Sequence, residues 1–145
     1  MLVNLRPSIG PVLVVGGGVV ASRKVAKLVE EGFRVTVVAP DLLPGLRNLP
    51  GVTLLERGFA DSDLTGHALL IACANVREVN RRAGELARAA GIPVCVCDAP
   101  AECTFWGVAT LRRRRLTLGV ATDTGRPRLA SRALSKLRRL WPRAK

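Results

Sequence analysis

Short apolar runs alternate with amphipathic stretches along residues 12–97 of the chain. The run Val12–Val15 is apolar throughout and lies between a proline and a glycine. Such a run is typical of a strand that is buried on both faces of a parallel sheet. Residues 20–31 follow it and place Val25, Leu28 and Val29 on one helical face, so they predict an amphipathic helix.

The same alternation continues towards residue 97. Residues 76–90 predict a second amphipathic helix that a glycine ends. Further apolar or β-branched runs predict strands over residues 34–39, 52–56, 67–74 and 92–97. Strands that alternate with helices in this order predict an α/β fold, in the form of a Rossmann-like doubly wound parallel sheet.

The pattern changes after residue 102. Residues 103–111 and 116–122 predict two strands, joined by Arg112–Arg115 as an exposed turn. Residues 127–140 predict a helix whose apolar stripe is Leu129, Ala130, Ala133, Leu134 and Leu137. Two strands and one helix are too few to bury that stripe within one chain, so we expect this small strand-strand-helix segment to pair with its copy in a homodimer.

The chain has 145 residues, of which 48% are hydrophobic, so it can form a packed core. We expect a sheet domain over residues 1–102 and a dimerisation segment with a basic terminal helix over residues 103–145. No apolar run reaches the roughly 18 residues of a membrane span, and the first residues lack the pattern of a secretory signal. These observations favour a cytoplasmic protein without a membrane partner.

The net charge of +12 is concentrated at one end of the chain. Residues 1–111 contain 11 Lys or Arg and 10 Asp or Glu, whereas residues 112–145 contain 12 Lys or Arg and a single acid, Asp123. This asymmetry indicates an anionic partner for the basic end, and a solvated basic tail is the alternative. Aromatic residues make up only 3% of the chain, which argues against stacking on nucleic-acid bases.

A glycine-rich turn joins the first predicted strand to the first predicted helix. Gly16, Gly18 and Ala21 have the spacing G-x-G-x-x-A. In this pattern the first glycine makes the tight turn, the second lets a pyrophosphate approach the backbone, and the small third residue packs helix on strand. The helix N-terminus offers its N–H groups to the phosphates. We therefore expect a bound dinucleotide, with a turn that binds no ligand as the alternative.

The acid that commonly ends the second strand of such a unit, and binds the ribose hydroxyls, is absent. Its place is taken by Val38 or Ala39, and the nearest acid, Asp41, follows Pro40. The residues of this turn therefore do not distinguish NAD from NADP.

Four stretches occur together in one order: VLVVGGGVVASRKVAKLVEEGFRVTVVAP, LLIACANVREVN, VCVCDAP and FWGVATLRRRRLTLGVATDTGRPRLASRAL. With this combination the chain resembles the siroheme synthase N-terminal family, whose members are precorrin-2 dehydrogenases and in some cases also sirohydrochlorin ferrochelatases. The resemblance implies an oxidoreductase that oxidises precorrin-2 to sirohydrochlorin with NAD as cofactor, as a homodimer. The substrate that the resemblance implies is a tetrapyrrole with carboxylate side chains. Ferrochelation, with Fe²⁺ as the inserted metal, stays open.

The resemblance also implies roles for individual residues. Asp98 of the CDAP stretch matches the family aspartate that is implicated in catalysis. Thr122, Arg126 and Arg128 fall on the substrate side, where arginines suit the carboxylates of a tetrapyrrole. The residues that match the cofactor contacts are Gly16, Gly17, Gly18, Val19, Ala39, Pro40, Ala72, Cys73, Ala74 and Asn75.

The chain departs from the family pattern in three places. The segment ATDTGRP contains Asp123 and Arg126 among small and hydroxyl residues, and Gly107 stands where a proline is common. The sequence ends at Lys145 after one helix, where family members commonly continue with a helical region. A non-catalytic module that binds NAD(H) or a tetrapyrrole is therefore an alternative, and a redox-sensing nucleic-acid binder is a weaker one.

Asp98 also suggests a function on physical grounds. It follows an apolar strand at the carboxyl end, where ligands bind in open α/β sheets, and its carboxylate could accept a proton or an incoming metal. An aspartate that caps the following loop is the alternative. Cys95, Cys97 and Cys103 have the spacing C-x-C-x₅-C, which together with the single His67 does not match a zinc-ligand pattern. No resident metal is predicted.

Overall fold

The computed structural model describes residues 2–114, 116–122 and 127–140 of the chain. The chain divides into two compact units, one formed by Leu5–Phe105 and the other by Met1–Asn4 together with Trp106–Lys145. Within the described ranges, no helix has both the length and the apolar character needed to cross a membrane.

The first unit is built on a five-stranded parallel sheet with the spatial order β3-β2-β1-β4-β5. Its strands are β1 (Val12–Val15), β2 (Val35–Val38), β3 (Val52–Leu55), β4 (Leu69–Ala72) and β5 (Val94–Val96). Its helices are α1 (Val19–Glu30), α2 (Pro44–Arg47) and α3 (Arg77–Ala89). The predicted doubly wound α/β fold is confirmed, and each predicted element of this unit is present with ends that differ by at most two residues.

The central strand β1 is paired on both sides. It pairs with β2 on one side and with β4 on the other, so the order in which strands are added reverses between β1 and β4. Val12 and Val14 pack in the layer that contains α1, whereas Leu13 and Val15 pack in the layer that contains α3. At most 1% of each of these side chains is exposed, so the strand and the glycine turn that follows it are held in place by packing on both faces.

The second unit contains an antiparallel hairpin and one long helix. The strands are β6 (Ala109–Arg113) and β7 (Leu116–Val120), and the helix is α4 (Pro127–Leu140). The helix packs on the hairpin, where Ala130 of α4 and Leu111 of β6 are buried. In contrast, Leu129, Leu137 and Leu140 are 55%, 37% and 78% exposed. Part of the predicted apolar stripe is therefore uncovered within a single chain.

The prediction that a strand begins at residue 103 is wrong, because the strand begins at Ala109. Cys103 belongs to the first unit and follows a 3-10 turn. The N–H of Val96 donates to Cys103 Sγ at 3.1 Å, and the thiol donates to the Val96 carbonyl at 3.2 Å. These bonds to β5 hold the residue beside the parallel sheet, which is why its apolar neighbours do not form part of the hairpin.

The predicted four-arginine turn is also wrong in extent. Arg112 and Arg113 lie within β6, and the pairing of Arg113 with Leu116 leaves a connection of residues 114 and 115. Arg114 has a φ of 49°, which two-residue hairpin turns require although glycine or asparagine usually supplies it. Arg115 lies outside the described residues. The absence of a glycine at this turn explains why its position was misjudged from the sequence.

Candidate functional site

The glycine turn lies between β1 and α1 at the carboxyl edge of the sheet. Gly16 has a φ of 124°, and a Cβ at this position would lie 2.5 Å from the carbonyl oxygen of Cys73. A Cβ on Gly17 would overlap the carbonyl oxygen of Asp41 and lie 3.0 Å from the Cβ of Ala39. These two glycines therefore allow the loops that follow β4 and β2 to approach the turn closely.

Gly18 has a different environment. Apart from its two chain neighbours, no residue that the structure describes has a heavy atom within 4 Å of the place where its Cβ would stand. It is the N-cap of α1, and the first hydrogen bond of the helix runs from the Ser22 N–H to the Gly18 carbonyl at 2.9 Å. The N–H groups of Val19, Val20 and Ala21 precede that bond and have no acceptor within the helix. Open space above Gly18 and donors at the positive end of a helix fit a pyrophosphate, so the residues present fit a dinucleotide.

Backbone hydrogen bonds hold the loop after β2 against the glycine turn on one side and the end of β3 on the other. The Leu43 N–H donates to the Gly17 carbonyl at 3.0 Å, and the Ala39 N–H donates to the Leu55 carbonyl at 3.1 Å. Ala39 is buried, whereas the two residues that follow it, Pro40 and the acidic Asp41, are exposed. The place that commonly carries the ribose-binding acid is thus occupied by a small buried side chain.

The loop after β4 is held from both sides. The Cys73 N–H donates to the Val15 carbonyl at 2.8 Å, which extends the ladder between β1 and β4 beyond the strand ends. The fully buried side chain of Asn80, in α3, then binds the next residue of the loop. The Ala74 N–H donates to Asn80 Oδ1 at 2.8 Å, and Asn80 Nδ2 donates to the Ala74 carbonyl at 2.9 Å. Exposure rises along this loop, from the buried Ala72 to an exposed asparagine.

Asp98 lies just beyond β5 at the same edge of the sheet. Its Oδ2 accepts a hydrogen bond from Asn80 Nδ2 at 3.0 Å, and its Oδ1 lies 3.6 Å from Arg77 Nη1. The Arg77 guanidinium also forms an ion pair with Glu102. The Asp98 side chain is 39% exposed. Its carboxylate is therefore held by neighbours on α3 but open to a ligand, an arrangement that can receive a proton.

A family model whose description is "Putative NAD(P)-binding" matches residues 3–109. The chain belongs to this family. The match includes the glycine turn, the loops after β2 and β4, and Asp98, so the geometry at the carboxyl edge is that of an NAD(P)-binding domain.

Relatives of this NAD(P)-binding domain include siroheme synthases. The siroheme synthase of Ectopseudomonas mendocina is 42% identical over 128 residues, which are 88% of this chain and 28% of that protein. The siroheme synthases of Methylobacillus flagellatus and Nitrosomonas europaea are 39% and 40% identical, with 91% of this chain and 29% of each protein matched. These relatives confirm the resemblance that the motifs indicated, and the chain spans 28% to 29% of the length of each of them.

A solved structure described as "SirC, precorrin-2 dehydrogenase" has the same fold. The two superpose with a TM-score of 0.85, at 24% sequence identity, over 98% of this chain and 71% of that chain. The similarity confirms the predicted order of the parallel sheet followed by the antiparallel strand pair.

Three cysteine thiols of the NAD(P)-binding domain influence one another near Lys24. A hydrogen bond with the Cys97 thiol lowers the pKa of Cys73, and the charge of Lys24 acts in the same direction. The hydrogen bond with Cys73 raises the pKa of Cys97 to about 11. A hydrogen bond with Cys97, together with burial, raises the pKa of Cys95. The described part of the chain contains no cluster of three metal-ligating side chains.

The residues that the resemblance implies for the substrate side belong to the second unit. Thr122 follows β7 and is half-buried, and Arg128 is exposed in the first turn of α4. Arg126 lies outside the described residues. Their role in substrate binding stays a prediction.

Sequence analysis missed two residues of α3 that contact Asp98. Asn80 lies three and seven positions before the buried Ala83 and Ala87, so it shares their inward face. A polar residue in an apolar stripe indicates a buried amide whose hydrogen bonds must be satisfied. The sequence therefore indicates the buried amide but not the residues with which it forms hydrogen bonds. Arg77 carried no comparable signal, because surface arginines are common at the start of a helix.

Proposed function

We propose that this chain oxidises precorrin-2 to sirohydrochlorin with NAD as the hydride acceptor. The observation that carries the proposal is the position of Asp98, whose exposed carboxylate is joined through Asn80 to the loop that follows β4. Similarity to siroheme synthases and to a precorrin-2 dehydrogenase structure supports this choice of reaction. The topological switch between β1 and β4 lies at the same edge, where open α/β sheets bind their ligands.

The chain's own residues divide the work of holding the dinucleotide. The N–H groups at the start of α1 would hold the pyrophosphate, and the missing side chain of Gly18 would let it approach. Gly16 and Gly17 in addition let the flanking loops close on the turn. When bound, NAD supplies a hydride acceptor. The proposed contacts are Gly16, Gly17, Gly18, Val19, Ala39, Pro40, Ala72, Cys73, Ala74 and Asn75.

Asp98 is the proposed base. The macrocycle loses a hydride from a saturated carbon, and the resulting cation loses a proton to the Asp98 carboxylate, so that the conjugation is extended and the charges balance. The ionic partner Arg77 and the donor Asn80 fix the direction of the carboxylate. Its exposed face can then pass the proton to water.

The second unit is proposed to bind the substrate and to form a homodimer. Thr122, Arg126 and Arg128 are proposed to contact the macrocycle, whose carboxylates suit arginine. The exposed leucines of α4 are the surface that a second copy would cover. The cytoplasmic location that the sequence favours belongs to the same proposal.

The proposed function is tested by anaerobic incubation of the protein with precorrin-2 and NAD, followed by absorbance. We expect NADH to form as sirohydrochlorin appears. Asp98→Asn keeps the shape of the side chain and removes the base, so turnover should fall by about 10²–10⁴-fold while NADH binding is kept. Asp61→Asn is the matched control, because Asp61 is an exposed aspartate that pairs only with Arg82 among the contacts described.

Each alternative has its own result in this assay. Wild-type protein that binds NADH but turns over neither precorrin-2 nor, with Fe²⁺, sirohydrochlorin would be a non-catalytic module. Insertion of Fe²⁺ that Asp98→Asn abolishes would add ferrochelation to the function. An active Asp98→Asn variant would keep the enzyme and remove Asp98 from the proposed mechanism.

A further inference from the structure

We infer that Asn80 is a positioning residue, which couples the loop after β4 to the Asp98 carboxylate. The inference rests on the proposed function, because the catalytic role of Asp98 is part of that proposal. It concerns a residue that does not itself reach the reacting atoms.

The oxygen and both N–H groups of the Asn80 side-chain amide form hydrogen bonds. Its Oδ1 accepts from the Ala74 N–H at 2.8 Å, and its Nδ2 donates to the Ala74 carbonyl at 2.9 Å and to Asp98 Oδ2 at 3.0 Å. An asparagine amide carries two N–H donors, so both are used. The Ala74 N–H can only donate, which determines that Oδ1 and not Nδ2 faces it. The direction of the donor towards Asp98 is therefore set by the loop.

The two bonds to Ala74 leave one N–H of the Asn80 amide, and this N–H donates to Asp98. Asn80 is 0% exposed, whereas the Asp98 side chain is 39% exposed and could be solvated by water instead. The third bond thus satisfies the second N–H of the buried amide and also fixes the direction of an accessible carboxylate, which water alone would leave free to turn. A displacement of Ala74 when a cofactor binds would be transmitted to Asp98 through a single rigid amide.

The charged groups around Asp98 come from two elements. Arg77 of α3 lies 3.6 Å from it, and Glu102 of the 3-10 turn Pro100–Glu102 shares the same guanidinium. Asn80 is the neutral member of this group. Exchange of its amide for a carboxylate would place two carboxylates within hydrogen-bond distance, which disfavours the ionised form of the pair.

The experiment compares Asn80→Asp with wild type in turnover, pH–rate profile and NADH affinity. This variant keeps the acceptor for the Ala74 N–H but loses both donors. We expect turnover to fall by about 10²-fold, since small displacements of a catalytic group cost that much. The acid limb of the pH–rate profile should move up by about one pH unit or more. Ala87→Gly is the control, because it loosens a buried position of the same helix that makes none of these bonds.

A double variant separates positioning from chemistry. Asn80→Asp combined with Asp98→Asn restores a donor and an acceptor with their roles exchanged and keeps the net charge. We expect NADH affinity and the thermal midpoint to return towards wild type while turnover stays lost. If Asn80→Asp does not fold, Asn80→Ser removes the bond to Asp98 without adding charge and is measured in the same way.

The results distinguish this inference from the proposed function. If the variants change only the thermal midpoint, and their pH–rate profiles superimpose on that of wild type, Asn80 is a core amide and the inference is wrong. If wild type has no turnover, the proposed function fails and NADH affinity decides alone. Binding at least about fivefold weaker in Asn80→Ser than in Ala87→Gly then supports control of the loop, and equal binding overturns it.

Discussion

Gly18 is the position at which cofactor binding can be separated from folding. We predict that Gly18→Asp abolishes NADH binding and leaves the domain folded. The backbone of Gly18 has φ −84° and ψ −167°, which any residue adopts. Within the described ranges, a Cβ there meets no heavy atom within 4 Å other than those of its chain neighbours. Because Gly18 is the N-cap of α1, an aspartate would in addition accept a hydrogen bond from the helix. Stability should therefore stay within about 0.5 kcal/mol of wild type.

The expected loss of affinity is larger than that. As a reference for a carboxylate at position 18 beside a phosphate at the start of α1, we take two like charges that are roughly 4 Å apart. At an effective dielectric constant of about 20, two like charges at that distance repel by about 4 kcal/mol. This corresponds to an NADH affinity about 10³-fold lower. Gly18→Ala adds volume without charge, so its loss should be smaller.

The assay is titration of NADH fluorescence, with thermal unfolding by circular dichroism on the same samples. Gly107→Asp is the matched control, since it adds the same charge at an exposed glycine with open space around its Cβ, and it should bind NADH as wild type does. Gly17→Ala should instead lower the stability of the domain. Its Cβ would overlap the Asp41 carbonyl, at a cost of about 1–3 kcal/mol in stability. Unchanged NADH affinity in Gly18→Asp would refute the assignment of the pyrophosphate to this turn.

Three further predictions concern assembly, thiol reactivity and stability. The exposed α4 stripe predicts a dimer mass in light scattering at micromolar concentration and a monomer for Leu129→Lys; a monomeric wild type would contradict this. Cys97 is the exposed cysteine, and its hydrogen bond with Cys73 raises its pKa to about 11. The rate of its alkylation, measured by peptide mass spectrometry, should therefore rise by about tenfold per pH unit between pH 8 and pH 10. A rate that is constant over this range would be inconsistent with that pKa. Hydrogen bonds from Arg57 hold the pKa of the buried Asp63 below its ordinary value of 3.8. The ionised Asp63 therefore stabilises the folded state above pH 3.8, and this contribution is lost as the pH falls through the lower pKa of the folded state. Asp63→Asn should therefore lower the free energy of unfolding, measured in urea at pH 7, by about 1–3 kcal/mol. The difference in unfolding free energy between variant and wild type should shrink below pH 3.8, and a constant difference would show that the ionised carboxylate does not stabilise the folded state.

The sequence by itself determined the layers of the first unit and the glycine turn at which we propose that the dinucleotide binds. Strand β1 is apolar at every position, which is typical of burial on both faces, and the helical patterns on either side of it in sequence then favour helices on both faces of a parallel sheet. The spacing of Gly16, Gly18 and Ala21 identified the turn, and each of these residues has the environment that the pattern requires. Such inferences succeed because periodicity and turn chemistry are local properties of the chain.

Only the tertiary structure decided what the other residues of the site contact. Gly17 lies within the glycine pattern, but its need for a bare Cα comes from the carbonyl of Asp41, which arrives from a different loop. Asn80 is connected to Ala74 and Asp98 across six and eighteen positions of sequence. The pattern of apolar and polar residues does not predict these contacts, because they depend on how closely three separate segments approach one another at the edge of the sheet. The same holds for the turn at Arg114, whose φ of 49° is imposed by the pairing of β6 with β7 and not by its own side chain.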